Sequence, residues 1–316
     1  MVLFLSLQCN RFVGRAYSSS LRRISAHQYQ YQYHYQYQYH PYTACTRLGA
    51  TSTSPHNPQE SITPSGVLAV FKPIGWTSSA VVNKVKWLII NGEKEKLGIQ
   101  TDKKYKTKTK IGHGGTLDPL AEGVLILGIG KGTKQLQGYL SGDKGYKAVA
   151  LLGSEMDTQD STGNITESLD CSCMRHEDIQ EKLAAFRGDI MQIPPMYSAL
   201  KKDGNRLYDL ARKGIEVERE PRKVSIYDLE YCYRELPEFG LNVVCGGGLY
   251  IRTLIVDLAR AAGGRAHMTQ LLRTKQGMFT LDDCIYEDNW NYQEICKGIE
   301  RCTAKKQMQK ERWELE

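Results

Sequence analysis

The chain of 316 residues is long enough to bury one large or two ordinary hydrophobic cores, and its formal net charge of +7 suits an anionic partner without naming one. Apart from the N-terminus the composition is that of a soluble globular protein, and no uninterrupted apolar run is long enough to span a bilayer, which argues against a transmembrane protein. The nine cysteines are scattered without a CxxC pair, and the isolated Cys171 and Cys173 have no nearby His or second pair, so free thiols in a reducing compartment fit better than a zinc or disulfide scaffold.

Residues 1–65 read as a leader. No acidic residue precedes Glu60, while Arg11, Arg15, Arg22 and Arg23 punctuate a Ser-rich, partly apolar segment. That is the composition of a mitochondrial transit peptide, with a basic tail lacking any address as the plainer alternative. "HQYQYQYHYQYQYH" (His27 to His40) is a Gln/Tyr repeat with no apolar face to fix a strand register, so it reads as low-complexity and disordered.

The folded part is expected from Gly66. "GVLAVFKP" is a short apolar strand ended by Pro73; Thr77 or Ser78 then caps a helix with Val81, Val85, Leu88 and Ile89 at helical spacing. Asn91 to Lys110 is a lysine-rich polar stretch, readable as a solvated loop or as a phosphate-facing one. "GVLILGIG" and "GYKAVALLG" are strands, the first continuous enough to be buried, and "DTQDSTGN" is turn chemistry. "HEDIQEKLAAF" and "NRLYDLARKG" are amphipathic helices, the second closed by Gly214. "KVSIYDLEYCYREL" and "LNVVCGG" are strands, and "LYIRTLIVDLARAAGG" is a helix stopped by paired glycines. Strands and helices interleave without a regular βαβ repeat, which predicts an α+β fold over residues 66–285, followed by a charged, partly helical tail at 286–316.

Two charged positions stand out. In "KIGHGGTLDPLAEGVLILGIG" (Lys110 to Gly130), Asp118 precedes a proline, which pushes its backbone out of the α region and onto an extended loop. Gly112, Gly114 and Gly115 remove side chains upstream and permit close approach by a bulky ligand. A carboxylate there is presented to a ligand, or else simply caps its loop, as Asp in Gly/Pro-rich loops commonly does. On the helix after Gly248, Ile251, Leu254, Ile255 and Leu258 share one face, extended by Val256 and Ala259; Arg252 falls between these last two, while Thr253, Asp257 and Arg260 take the opposite, wet side. A guanidinium at the edge of the buried arc, in the first helical turn where the macrodipole disfavours cations, needs an anion, unless it snorkels to water.

In order, these segments resemble the TruB family of RNA pseudouridine synthases, and the likeness runs from Gly66 to about Phe279. "GVLAVFKPIGWTSS" is similar to the family's first motif and "GHGGTLDPLAEGVL" to its catalytic motif. "KGYKAVALLGSEMDTQDSTGNI", "FRGDIMQIPPMYSALKKDGNRLYDLARKGIEVEREPRKVSIYDL", "GGGLYIRTLIVDLA" and "HMTQLLRTKQGMF" follow in register. The Gly-Gly after His113 and the long N-terminal extension most resemble the fungal and other eukaryotic enzymes that modify uridine 55 in the TΨC loop of tRNA.

The resemblance implies a pseudouridine synthase fold, with a mixed, mostly antiparallel central sheet and flanking helices, and no complete C-terminal RNA-binding (PUA) domain. It implies Asp118 as the catalytic aspartate that breaks the glycosidic bond, Arg252 as its partner, and Tyr146 as the tyrosine stacking on the target base. His113 then fills the space left by extruded bases, Tyr250 and Leu271 line the uracil pocket, and Gly115 and Thr116 lie against the RNA. Lys72 in the first motif reads as structural. The reaction implied is flipping of a uridine, cleavage of its glycosidic bond and reattachment through C5, in a monomer that binds the TΨC stem-loop of tRNA without cofactor, metal, membrane or obligatory protein partner. The location implied by the leader is mitochondrial, alone or shared with nucleus and cytoplasm. One departure is Leu249, where the family more often has Thr. Rival readings are a non-catalytic tRNA-folding chaperone and a synthase acting on messenger or ribosomal RNA.

Overall fold

The computed structural model describes residues 63–99 and 109–315. The leader up to residue 62, including the Gln/Tyr tract, and positions 100–108 of the lysine-rich stretch lie outside the described residues.

Strand β1 (Gly66–Lys72) turns through Pro73 into helix α1 (Ser78–Lys96). Thr77 caps that helix, its hydroxyl accepting the Ala80 N–H at 3.0 Å. Helix α1 continues to Lys96 and so takes in the first residues of the stretch expected as loop. Strand β2 (Ile111–His113) leads through the Asp118 loop to β3 (Ala121–Ile129), whose side chains are almost all buried, as the apolar run predicts. A short helix α2 (Leu136–Ser141) precedes β4 (Lys144–Leu152), and a small hairpin of β5 (Ser154–Met156) and β6 (Ile165–Ser168) follows.

The helix expected at "HEDIQEKLAAF" is broken into α3 (His176–Gln180) and a 3-10 turn (Leu183–Phe186), which brings both Ile179 and Leu183 into the core. Strand β7 (Gly188–Gln192) comes next. A two-residue-per-strand hairpin, β8 (Lys201–Lys202) and β9 (Asn205–Arg206), then leads into α4 (Leu207–Ala211). Helix α4 is shorter than expected, and Gly214 follows it in a left-handed conformation at φ 71°. Strands β10 (Arg222–Cys232) and β11 (Glu238–Cys245), helix α5 (Ile251–Ala261), strands β12 (Ala266–Gln276) and β13 (Phe279–Thr280), and helix α6 (Tyr292–Leu315) complete the order.

Nine strands form one sheet in the order β1-β3-β12-β4-β11-β10-β7, with β13 added on β12 and β2 on β3. Every strand pairing in it is antiparallel except β3 with β12. The architecture is α+β, a mixed and mostly antiparallel sheet with flanking helices. Periodicity gives no hint of β12, which lies at the sheet's centre. It carries Arg273, Gln276 and His267 fully or almost fully buried among its apolar residues, so the alternation that marks a half-buried strand is absent.

Helix α5 lays Ile251, Leu254, Ile255 and Leu258 against Ala148, Leu241, Val243 and their neighbours on one face of the sheet. A second core joins Val81, Val85 and Ile89 of α1 and Ile295 and Ile299 of α6 to Leu68, Val70, Leu125 and Leu127 of β1 and β3. Residues 286–316, expected as a charged, partly helical tail, contain a helix that also packs into the core through Ile295, Ile299 and Cys302.

Strand β3 shares one edge between two partners, and this fork positions the site. Its start pairs with β12 (Ala121↔Leu271 to Gly123↔Arg273) and its end with β2 (Ile129↔Ile111 to Leu127↔His113). Ile126 sits between the two ladders, where its buried backbone groups need other partners. Gln276 supplies an acceptor to its N–H at 3.2 Å, and the Gly114 N–H donates to its carbonyl at 2.8 Å. The chain from β2 to β3 leaves the sheet at this fork as the loop bearing Asp118.

Candidate active site

The Asp118 loop is fastened from below by buried side chains. Arg273, 1 % exposed, donates through Nε to the Val124 carbonyl (2.7 Å) and through its two terminal nitrogens to the carbonyls of Thr116 (3.4 Å) and Gly115 (3.1 Å). Gln276 donates to the Gly114 carbonyl at 2.7 Å. Ser78, at the start of α1, holds Leu117 by both backbone groups: its hydroxyl accepts the Leu117 N–H at 2.9 Å and donates to the Leu117 carbonyl at 3.1 Å. Gly115 takes φ 149°, and a Cβ there would stand 3.1 Å from the Gln276 amide nitrogen. The Asp118 carbonyl accepts from Ala121 and the Pro119 carbonyl from Gly75. With so many ties on its backbone, Asp118 is fixed in place, yet its side chain is 33 % exposed.

The anion that Arg252 requires is Asp118. Arg252 Nε lies 2.9 Å from Asp118 Oδ2, and its side chain is 4 % exposed. Its two terminal nitrogens donate to the carbonyls of Thr158 (2.7 Å) and Tyr197 (2.9 Å), so the whole guanidinium fork is engaged. A second carboxylate stands behind it: Asp160 Oδ2 is 4.0 Å from Arg252 Nε. Asp160 Oδ1 meanwhile accepts from the Thr158 hydroxyl, the Thr162 hydroxyl and the Thr162 N–H. The sequence reading of "DTQDSTGN" as turn chemistry is right about the turn and misses that it packs on Arg252. Two Asp residues interleaved with Thr were the available signal, but Asx-turns use the same residues.

Thr253 corrects an expectation. Helical periodicity places it on the wet side of α5, whereas it is 4 % exposed and its hydroxyl donates to Gln159 Oε1 at 2.7 Å. The turn between β5 and β6 covers that face, which a single-helix projection cannot foresee. Asp257 is half-buried, and Arg260 reaches the buried carboxylate of Glu155.

Around the pair, Tyr146 (β4), Leu271 (β12) and Leu117 belong to one buried cluster. Burial pushes the Tyr146 phenol up from its ordinary range, opposed by the neighbouring Arg273 guanidinium, to which it hydrogen bonds; the charge of Asp118 also reaches it. Tyr250 precedes the first turn of α5, and Gln192 clamps its backbone by accepting its N–H (2.9 Å) and donating to its carbonyl (3.1 Å). Its phenol too is raised by burial, and again Asp118 lies within electrostatic reach. Both tyrosines are therefore protonated at neutral pH.

His113 sits at the end of β2, at the start of the loop. Burial and the charges of Arg273 and Arg206 hold its imidazole below the ordinary range, so the ring is neutral at neutral pH, and its buried Nδ1 has no hydrogen-bond partner. The structure thus sets Arg252 against Asp118, with Tyr146 and Tyr250 within electrostatic reach of that carboxylate and Leu271 in the same buried cluster as Tyr146. His113, Gly115 and the exposed Thr116 lie along the loop that leads to Asp118. Lys72 is fully buried beside this centre, donating to the Pro73 carbonyl at 2.8 Å. Sequence reasoning by pattern missed Arg273, Gln276 and Gln192 and read Ser78 only as a candidate cap, because buried polar residues that hold backbone atoms carry no periodic signature.

An oriented, partly exposed carboxylate backed by a buried guanidinium and flanked by protonated phenols and apolar walls suits a reaction at a planar, uncharged ring. Among the described residues, no group of three or more His, Cys, Asp or Glu is placed to hold a metal ion, and no helix is long and apolar enough to cross a membrane.

Comparison with known proteins places the chain in a family. The sequence model of the TruB family pseudouridylate synthase N-terminal domain matches residues 103–251. Pseudouridylate synthase TRUB1 of Homo sapiens is 45% identical over 242 residues, covering 76% of this chain and 69% of its own length. The tRNA pseudouridine synthase B of Stutzerimonas stutzeri is 44% identical over 221 residues, covering 70% of this chain and 67% of its own. Among solved structures, a chain from a crystal structure of a Cbf5-Nop10-Gar1 complex superimposes with a TM-score of 0.51 at 26% identity, covering 78% of this chain and 65% of that one. On sequence and fold together, the chain belongs to the TruB family of pseudouridylate synthases.

Proposed function

We propose that the chain isomerises uridine to pseudouridine in tRNA, at uridine 55 of the TΨC loop. The observation that carries the reading is the 2.9 Å pair between Arg252 and a partly exposed Asp118. The reaction breaks the bond between ribose C1′ and N1 of uracil, turns the base and joins C1′ to C5. The C5 proton leaves and N1 gains one, so atoms and electrons balance without a co-substrate. A base inside a folded loop must first be everted, at roughly a few kcal/mol. Stacking on aromatic side chains such as Tyr146 returns about 1–3 kcal/mol per base.

In this reading Asp118 acts on the glycosidic bond, Arg252 holds and orients it, and Tyr146 stacks on the uracil. Tyr250 and Leu271 wall the pocket, while His113, Gly115 and Thr116 lie against the displaced RNA. A neutral His113 suits contact with bases better than an imidazolium would.

The test is incubation of the purified chain and its Asp118→Ala variant with unmodified tRNA, followed by mapping of pseudouridine. Product at the TΨC uridine from the wild type alone is expected. Binding without product from either chain would replace the enzyme by a tRNA-folding chaperone, and product only in messenger or ribosomal RNA would move the substrate.

Affinity for the RNA is assigned in part to the lysine-rich stretch. Neutralising Lys103, Lys104, Lys106 and Lys108 is expected to weaken tRNA binding and to reduce the slope of log K against log salt by about 0.7–0.9 per lost phosphate contact. An unchanged slope refutes it. The Arg- and Ser-rich leader, without an acidic residue before Glu60, supports a mitochondrial address. A fluorescent reporter fused to residues 1–65 is expected to enter mitochondria, and a diffuse reporter sinks the assignment.

A further inference from the structure

The structure assigns Gln159 and Thr253 a joint role as positioning residues, which hold the β5–β6 turn against Arg252 and through it orient Asp118. The inference rests on the reading of Asp118 and Arg252 as the reacting pair.

Gln159 lies between the two residues of the turn that face Arg252. Thr158 gives it a carbonyl at 2.7 Å and Asp160 a carboxylate oxygen at 4.0 Å. Both can face one guanidinium because the chain reverses sharply at Gln159, which takes φ 64°, a left-handed conformation unfavourable for a residue with a side chain. Such a conformation persists where its surroundings over-determine it, and it concentrates at functional sites. Three bonds hold this one. The Gln159 N–H donates to Met156 (2.9 Å), its carbonyl accepts from Met268 (3.1 Å), and its side-chain oxygen accepts from the Thr253 hydroxyl (2.7 Å).

Thr253 adjoins Arg252 on α5 and is itself buried. Consecutive residues of one helix thus grip the same turn, one through the site and one through its strained residue. A turn that needed only to close could do so with glycine at this position. A glutamine anchored to the helix that carries Arg252 ties the turn to the guanidinium instead. Without that tie the turn keeps only its backbone and Asp160 bonds, and the Thr158 carbonyl and Asp160 can shift against Arg252, whose orientation toward Asp118 they help to set.

The experiment compares the full chain with Thr253→Val, Thr253→Ser, Gln159→Gly and the Thr253→Val/Gln159→Gly double variant. Single-turnover isomerisation and tRNA affinity are measured for each. Thr253→Val removes the hydroxyl at nearly constant shape. Gln159→Gly removes the anchor while easing the backbone, which keeps the test usable if one variant folds poorly. Each single variant is expected to slow the chemical step roughly ten- to a hundredfold at unchanged affinity, as a small misplacement of a reacting group does. Thr253→Ser should stay within about twofold of wild type, and the double variant should be no slower than the slower single, because both cut one link.

An unchanged rate in Thr253→Val, or losses that multiply in the double variant, overturns the inference. The nitrogen-15 spectrum of Arg252, with its Nε–H signal identified through Arg252→Lys, gives a readout independent of turnover. Protection of that proton from exchange is expected to fall in Thr253→Val and to return in Thr253→Ser. A wild-type chain that makes no pseudouridine defeats the proposed function alone, while this spectrum still decides the positioning role.

Discussion

Lys72 shows how a buried residue can record the electrostatics of the site. Its amine is fully buried, and that burial pulls its pKa down to about 8, against the raising influence of Glu122 and Asp118 nearby. An unfolded lysine titrates near 10.5. Between pH 8 and 10.5 the unfolded chain therefore binds a proton that the native chain has released, and native stability rises with pH in that window. Below pH 8 both states are protonated and the buried charge costs the most. Lys72→Met removes this dependence. Its stability relative to wild type, from urea unfolding, is expected to fall by about 2 kcal/mol between pH 7.5 and 9.5; parallel profiles would show that Lys72 keeps an ordinary pKa. That Asp118 is presented and that Arg252 needs an anion were readable at this scale from a pre-proline acid and a misplaced helical arginine, with loop capping and snorkelling as the alternatives that the 2.9 Å pair removes. Asp160 was not, since a turn aspartate that caps its own loop and one that also faces a guanidinium have the same local sequence.

At the scale of elements, the junction of β3 and β12 is the least forgiving. Gly123 takes φ 107° opposite Arg273, and a Cβ there would fall 2.3 Å from the Arg273 backbone oxygen. Gly123→Ala is expected to cost roughly 3 kcal/mol or more in urea unfolding, by combining a steric clash with a left-handed backbone. Gly138→Ala in α2 meets nothing within 4 Å and should be neutral or slightly stabilising. Equal effects of the two would mean that β12 can move away from β3. The same junction explains why β12 escaped the periodic reading while α5 did not. Helix α5 has one core to face and shows a clear apolar stripe. Strand β12 lies between β3 and β4 and spends its buried positions on Arg273 and Gln276, which fasten the Asp118 loop.

For the molecule as a whole, α6 is the element whose importance composition conceals. It is charged along most of its length, yet Ile295, Ile299 and Cys302 are buried, and the first two pack with Leu68 and Val70 of β1. Burying the two isoleucines alone is worth roughly 3–6 kcal/mol. A chain truncated after Tyr286 is expected to lose a cooperative thermal transition or to aggregate through the uncovered β1 face. A melting temperature equal to that of the full chain would return the segment to the status of a solvated tail. Because β1 pairs with β3 and β3 carries the fork from which the Asp118 loop leaves, damage at this distant edge should also lower activity.

The sequence by itself determined the strongly apolar strand β3 and the stripe of α5, narrowed the helix cap to Thr77 or Ser78, and pointed Arg252 to an anion or to water. Each follows from chemistry within a few neighbouring residues. Its ordered motifs were sufficient to suggest the family. The resemblance implied Asp118 as the anion; only the tertiary structure brought the pair to 2.9 Å with Asp160 behind it, buried Thr253 against Gln159, and braced the loop with Arg273, Gln276 and Ser78. Those contacts join residues far apart in the chain, and their energies come from burying polar groups with their partners, which no local pattern of hydrophobicity records.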